Sequence, residues 1–149
     1  MTTFNPDLSV LREQLSRTVP QVEQLVVVDN GSSAADLIQA VVQEFAKTHW
    51  FGLGENRGLG YAHNLGIGKA LESGAESVLI LDQDTLPKTD TVSVLTETLV
   101  SSCTPDSHVA AAGARHVGAT TAHPSFFVQF RRVRLHKCVA ADGGGRPAM

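Results

Sequence analysis

Asp82 and Asp84 stand two residues apart, directly after the apolar run Val78-Leu79-Ile80-Leu81. In extended backbone alternate side chains share a face, so both carboxylates are expected to point the same way. Converging carboxylates repel unless a cation lies between or beside them. Hard oxygen donors of this kind suit Mg²⁺ or Mn²⁺, which take one or two carboxylates together with phosphate oxygens. Another acid, Asp29, closes the run Leu25-Val26-Val27-Val28 and precedes Asn30-Gly31-Ser32. It can accept from a base N–H or a ribose hydroxyl, or equally cap the turn that follows. A third polar cluster is Gly54-Glu55-Asn56-Arg57-Gly58-Leu59-Gly60. Its glycines admit backbone N–H groups close to a ligand, and it leads into a helix N-terminus suited to phosphate. Arg57 adds a charge-assisted contact to a diphosphate.

Two better-known phosphate motifs are excluded by the same residues. Gly58-Leu59-Gly60-Tyr61-Ala62-His63 puts His63 where a dinucleotide fingerprint needs its third glycine. Gly68-Lys69-Ala70 lacks the hydroxyl of a P-loop.

The elements that must position these clusters alternate between helix and strand. Asp7 to Val19 predicts an amphipathic helix with Leu8, Leu11 and Leu15 on one face. Gln24 to Asp29 is a continuous β-branched run, the mark of a strand buried on both faces. Ala34 to Thr48 predicts a helix burying Leu37, Ile38, Val41, Val42 and Phe45, followed by a short strand from His49 to Leu53. Leu59 to Ser73 predicts a helix stopped by Gly74. Ser77 to Leu81 is expected to be the clearest buried strand. Thr89 to Ser102 follows as a helix with Val92, Leu95 and Leu99 inward, and Val109 to Val117 as another strand. Phe126 to Phe130 and Arg132 to His136 read as extended segments. Unalternating buried strands between helices predict an α/β fold with a mostly parallel sheet, and its ligands belong at the carboxyl ends of the strands.

A chain of 149 residues has one-domain length, and no internal boundary is evident. A net charge of −3 argues against nucleic acid as a partner. No apolar run approaches the roughly 20 residues that span a bilayer, and the N-terminus has no signal-peptide pattern. Cys103 and Cys138 show neither metal nor redox spacing, so a cytoplasmic location is expected. Arg131, Arg132, Arg134, His136 and Lys137 offer a peripheral approach to anionic lipid at the inner membrane face. Their alternation with Val133 and Leu135 favours a solvated strand face instead.

Taken together and in order, four stretches resemble the family 2 inverting glycosyltransferases. They are Thr3-Phe4-Asn5-Pro6, Val26 to Ser32, Asn56 to Gly66, and Leu79-Ile80-Leu81-Asp82-Gln83-Asp84. The D-Q-D triplet, with Ala110 to Arg115 and Pro124 to Lys137, is most similar to the rhamnosyltransferase branch. The resemblance implies a GT-A (Rossmann-like) fold and a nucleotide-diphosphate-sugar donor, with dTDP-L-rhamnose expected. It implies a cell-envelope glycan or lipid-linked acceptor and transfer with inversion. Thr3 and Phe4 would lie near the nucleotide, Asp29 would contact the base, and Asn56, Arg57 and Asn64 would shape the nucleotide pocket. Asp82 would face ribose or metal, and Asp84 would be the main ligand of Mg²⁺ or Mn²⁺.

The sequence also departs from the family pattern. Phe4 stands where tyrosine is usual, and only Met1 and Thr2 precede the first motif, where family members carry a hydrophobic strand. Members also continue beyond this C-terminus into an acceptor-binding half that carries the general base, and no residue here matches that base. Residues 1–149 are therefore expected to form a nucleotide-sugar-binding half-domain truncated at both ends. Self-association through an open sheet edge is the expected consequence. Two other classes compete with transfer. One is a nucleotide-sugar-binding fragment or interaction module without catalysis. The other is an aspartate-based phosphohydrolase, against which Leu86 stands where that pattern wants threonine or valine.

Overall fold

The computed structural model describes residues 1–103, 109–114, 126–131 and 134–139, the last two stretches by their backbone. The chain divides into two compact units, Met1–Ala112 and Gly113–Met149. In the first unit, β1 (Thr2–Thr3), β2 (Leu25–Asp29) and β3 (Thr48–Gly52) form a parallel sheet in that order. Helices α1 (Leu8–Thr18), α2 (Ala35–Gln43), α3 (Leu59–Glu72) and α4 (Thr91–Ser101) complete it. In the second unit, β4 (Phe126–Arg131) and β5 (Arg134–Val139) pair antiparallel, with Phe127 opposite Cys138. The parallel sheet with flanking helices is the α/β, GT-A-like arrangement expected from the sequence.

β2 holds the unit together because it is buried along its whole length. Its side chains alternate between two cores, as period-two geometry requires. Leu25 and Val27 pack with Leu11, Leu15, Ile38, Val41 and Val42 from α1 and α2. Val26 and Val28 face the opposite way, against Ala62 of α3. A Cβ on Gly66 of the same helix would meet Val28 Cγ2 at 3.4 Å, an ordinary van der Waals contact, so α3 lies directly against the strand. α1 is started by Asp7, whose carboxylate accepts from the backbone N–H of Ser9 at 2.8 Å and of Val10 at 3.2 Å. A bond from the Ser9 hydroxyl, followed by these two backbone bonds, holds the Asp7 pKa below its ordinary value.

Several expected elements differ. The helix expected to reach Thr48 ends at Gln43, because the chain must turn through Lys47, at φ 62°, to enter β3. Leu37 is 59% exposed, while its neighbour Ile38 takes the core position. Ser77 to Leu81 is not a strand: its backbone joins no ladder, Ile80 is 51% exposed, and only Leu81 is buried. A strand needs a paired neighbour, and β1 contributes only two residues to the sheet. The described part of the expected strand 109–117, residues 109–114, is likewise irregular. Val92, Leu95 and Leu99 of α4 do share one face, but each is only half-buried.

Candidate functional site

The ends of β1, β2 and β3 meet at one edge of the sheet, and local chemistry ties their loops together. Asp29, the last residue of β2, is 1% exposed. Its Oδ2 accepts from the Ser32 backbone N–H at 2.9 Å, and its Oδ1 from the hydroxyls of Ser32 and of Thr3, the latter at 3.1 Å. The carboxylate therefore closes the turn after β2 and pins it to β1. Asn5, at φ 46°, adds a second tie: its N–H donates to Ser32 Oγ at 2.8 Å, and its Oδ1 accepts from the Ser33 N–H at 2.9 Å. Gly31 lies between, at φ 86°, with the backbone of Glu55 and Asn56 where a Cβ would stand. Only glycine admits that contact.

Asn30 joins this turn to the glycine-rich loop. Its Nδ2 donates to Asn56 Oδ1 at 3.1 Å, and its Oδ1 accepts from the Arg57 N–H at 2.9 Å. Asn56 Oδ1 also accepts from the Gly58 N–H at 2.9 Å, which shapes the entry to α3.

The acidic segment completes the edge. Asp82 to Thr85 forms a turn closed by the Thr85 N–H on the Asp82 carbonyl at 3.2 Å. This corrects the expectation of extended geometry through Asp82-Gln83-Asp84, for the same reason that the preceding residues form no strand. Gln14 of α1, fully buried, donates to that Asp82 carbonyl as well. The Gln83 carboxamide meets the Phe4 backbone twice, accepting from its N–H at 2.7 Å and donating to its C=O at 3.2 Å.

These ties enclose an open cleft of about 350 Å³. Thr2, Thr3 and Phe4 form one wall, Asn30, Asn56 and Leu59 a second, and Asp82 with Gln83 a third. The size is within the range of small-molecule sites. Of the residues singled out from the sequence, Thr3, Phe4, Asn56 and Asp82 reach the cleft, and Asp29 lies buried at the turn between its walls. Asn64 is exposed on α3 and Asp84 is exposed in the acidic turn, and neither lines the cleft.

Arg57 does not line it either. Its guanidinium donates to Glu55 at 3.0 Å and to the Tyr61 hydroxyl at 3.3 Å, and lies 5.4 Å from the Tyr61 ring centre. Tyr61 first, and Glu55 after it, raise the Arg57 pKa above its ordinary value. Both partners are exposed, so the arrangement contributes little stability and leaves the side chain free to be recruited.

Sequence reasoning did not single out Asn30, Gln83 or Gln14 as site residues. Gln14 carried a signal, because it shares the α1 face of Leu11, Leu15 and Thr18, and a polar group on a buried stripe must find a partner. Asn30 and Gln83 sat inside the polar clusters, but which group each would meet depends on loops distant in sequence.

Asp82 and Asp84 together supply two exposed carboxylates at one turn. No group of three or more acidic, histidine or cysteine side chains among the described residues forms a complete cation site. The donor set fits a Mg²⁺ or Mn²⁺ ion whose remaining ligands are phosphate oxygens and water, the usual habit of these ions.

The profile of Glycosyl transferase family 2 matches residues 1–132. A stretch of 84 residues, 56% of the chain, is 34% identical to the dTDP-rhamnosyl transferase RfbF of Shigella flexneri, and covers 28% of that protein. No solved structure matches the chain. Four ordered motifs, three of them brought to one sheet edge with Asn56 of the fourth, and a family profile over most of the length lead to one conclusion: the chain belongs to glycosyl transferase family 2.

Proposed function

We propose that the cleft binds the nucleoside diphosphate of a sugar donor, dTDP-L-rhamnose, and that residues 1–149 are the donor-binding portion of an inverting rhamnosyltransferase. Its acceptor would be a cell-envelope glycan or a lipid-linked precursor. The observation that carries this reading is the convergence of Thr3 with Phe4, Asn56 and Asp82, from three separate segments, on one cleft at the carboxyl edge of a parallel sheet.

In this reading Thr3 and Phe4 lie against the nucleotide, with the half-exposed Phe4 ring offering an apolar face to the base. Asp29 acts on the base through the turn it holds. Asn56 shapes the pocket wall, while Arg57 and Asn64 flank it and swing toward the diphosphate when it is present. Asp82 faces ribose or cation, and Asp84 is the main cation ligand. When bound, a divalent cation supplies neutralisation of the diphosphate leaving group. The general base is assigned to no residue of this chain. A rhamnose-transfer assay on the chain separates complete transfer from donor binding alone.

Calorimetric titration with dTDP and UDP, with and without Mg²⁺ or Mn²⁺, tests the reading. Cation-dependent binding of dTDP that Asp84→Ala abolishes is the expected result. Absence of binding to either nucleotide overturns it.

A further inference from the structure

Gln83 lies between the two aspartates, yet its side chain is spent on the protein. Both of its polar atoms are engaged by one residue, Phe4, which is 79 positions away in sequence: Oε1 accepts from the N–H at 2.7 Å and Nε2 donates to the C=O at 3.2 Å. That is the pair of bonds a neighbouring strand would make to an edge residue, supplied here by a side chain. β1 pairs with β2 through Thr2 and Thr3 on its other side. The acidic segment is thus secured to the sheet by this carboxamide and by the bond from buried Gln14 to the Asp82 carbonyl. Phe4 and Asp82 stand on different walls of the cleft, and Gln83, beside Asp82, bonds across to Phe4.

We propose that Gln83 is a positioning residue, whose carboxamide ties the acidic turn to the end of β1 and so sets where Asp82 and Asp84 stand relative to a bound nucleoside diphosphate. The proposal rests on the reading of the cleft given above. It assigns the central residue of the triplet to architecture and the flanking carboxylates to the ligand. A side chain of equal polarity but shorter reach does not substitute, because withdrawing the amide by one carbon–carbon bond breaks both contacts unless the turn moves with it.

The test compares wild type, Gln83→Leu and Gln83→Asn. The first readout is hydrogen exchange of the Phe4 amide, which is protected in wild type by Gln83 Oε1 and exchanges faster in both variants. The second is calorimetric affinity for thymidine, and for dTDP with and without Mn²⁺. In the variants the factor by which Mn²⁺ strengthens dTDP binding falls about tenfold, the equivalent of one lost hydrogen bond to a positioned group. Thymidine affinity falls by a smaller factor, because Phe4 stays anchored through the neighbouring Thr3, which remains paired in the sheet. Should Gln83→Leu fail to fold, Gln83→Asn carries both readouts.

Unchanged Phe4 exchange, or an unchanged Mn²⁺ factor, overturns the positioning role alone. A parallel loss of thymidine and dTDP binding also overturns it, since that pattern marks general damage to the cleft. Wild-type protein that binds no dTDP overturns the reading of the site, and the role of Gln83 with it.

Discussion

Asp29 and Gly31 show how little freedom the residues of the strand-end turn retain. The Asp29 carboxylate is buried and accepts from Ser32 and Thr3, so its shape-holding role is visible without any ligand. Gly31 is held at φ 86° against the backbone of Glu55 and Asn56. Gly31→Ala is therefore expected to destabilise the fold by about 2 kcal/mol or more, from left-handed strain plus a backbone collision. Urea unfolding measures the first effect. Loss of dTDP binding would report the second, because displacing residues 55 and 56 opens the wall that Asn56 provides. A Gly31→Ala protein with wild-type stability would mean that the two loops do not touch.

At the scale of elements, α2 makes a sharp distinction between adjacent apolar residues. Ile38 is 1% exposed in the core shared with α1 and β2, whereas Leu37 is 59% exposed. Ile38→Ala should cost about 2–5 kcal/mol, through lost burial and the cavity left behind. Leu37→Ala should change stability by about 0.5 kcal/mol or less. Thermal or urea denaturation of both variants checks the helix register. Similar losses from the two would place α2 in a different rotation. Most elements here were legible in the sequence: α1 begins one residue after its expected start at Asp7, α3 ends at Glu72 just before Gly74, and β2 is buried on both faces. The segment 77–81 was not, because its apolar run describes a strand only when a neighbour is present to pair with it.

The unit as a whole also carries a pH dependence that no single motif announces. The Met1 amine donates to the Val26 carbonyl at 2.8 Å, and burial lowers its pKa to about 6 from 8.0. Between those values the unfolded chain binds more protons than the folded one, so stability rises with pH across this window. For a chain with a free amine at Met1, stability at pH 8 should exceed that at pH 6 by about 2 kcal/mol, since one pKa unit corresponds to about 1.4 kcal/mol and each state is half-titrated at one end of the window. Acetylating that amine should remove the dependence. Equal slopes for the free and acetylated chains in denaturant titrations across pH 6–8 would show that the amine is solvated in the folded state.

The sequence by itself determined which residues are apolar at period two or at helical spacing, where turns interrupt them, and which polar clusters follow the strands. Those properties are local, and they sufficed for the α/β class and for the polar clusters that hold Asp29, Asn56 and Asp82, while Thr3 and Phe4 entered through the family resemblance. Only the tertiary structure decided how the clusters are joined. Asn30 bridges two loops, Gln83 binds Phe4, Gln14 reaches Asp82, and Arg57 is turned onto Glu55 and Tyr61. Each of these depends on the distance between groups that chain closure brings together, except for Arg57, whose nearby partners compete with the cleft for one flexible cation. Hydrogen bonding acts over about 3 Å, and a linear pattern of residue types does not specify separations on that scale across 79 positions.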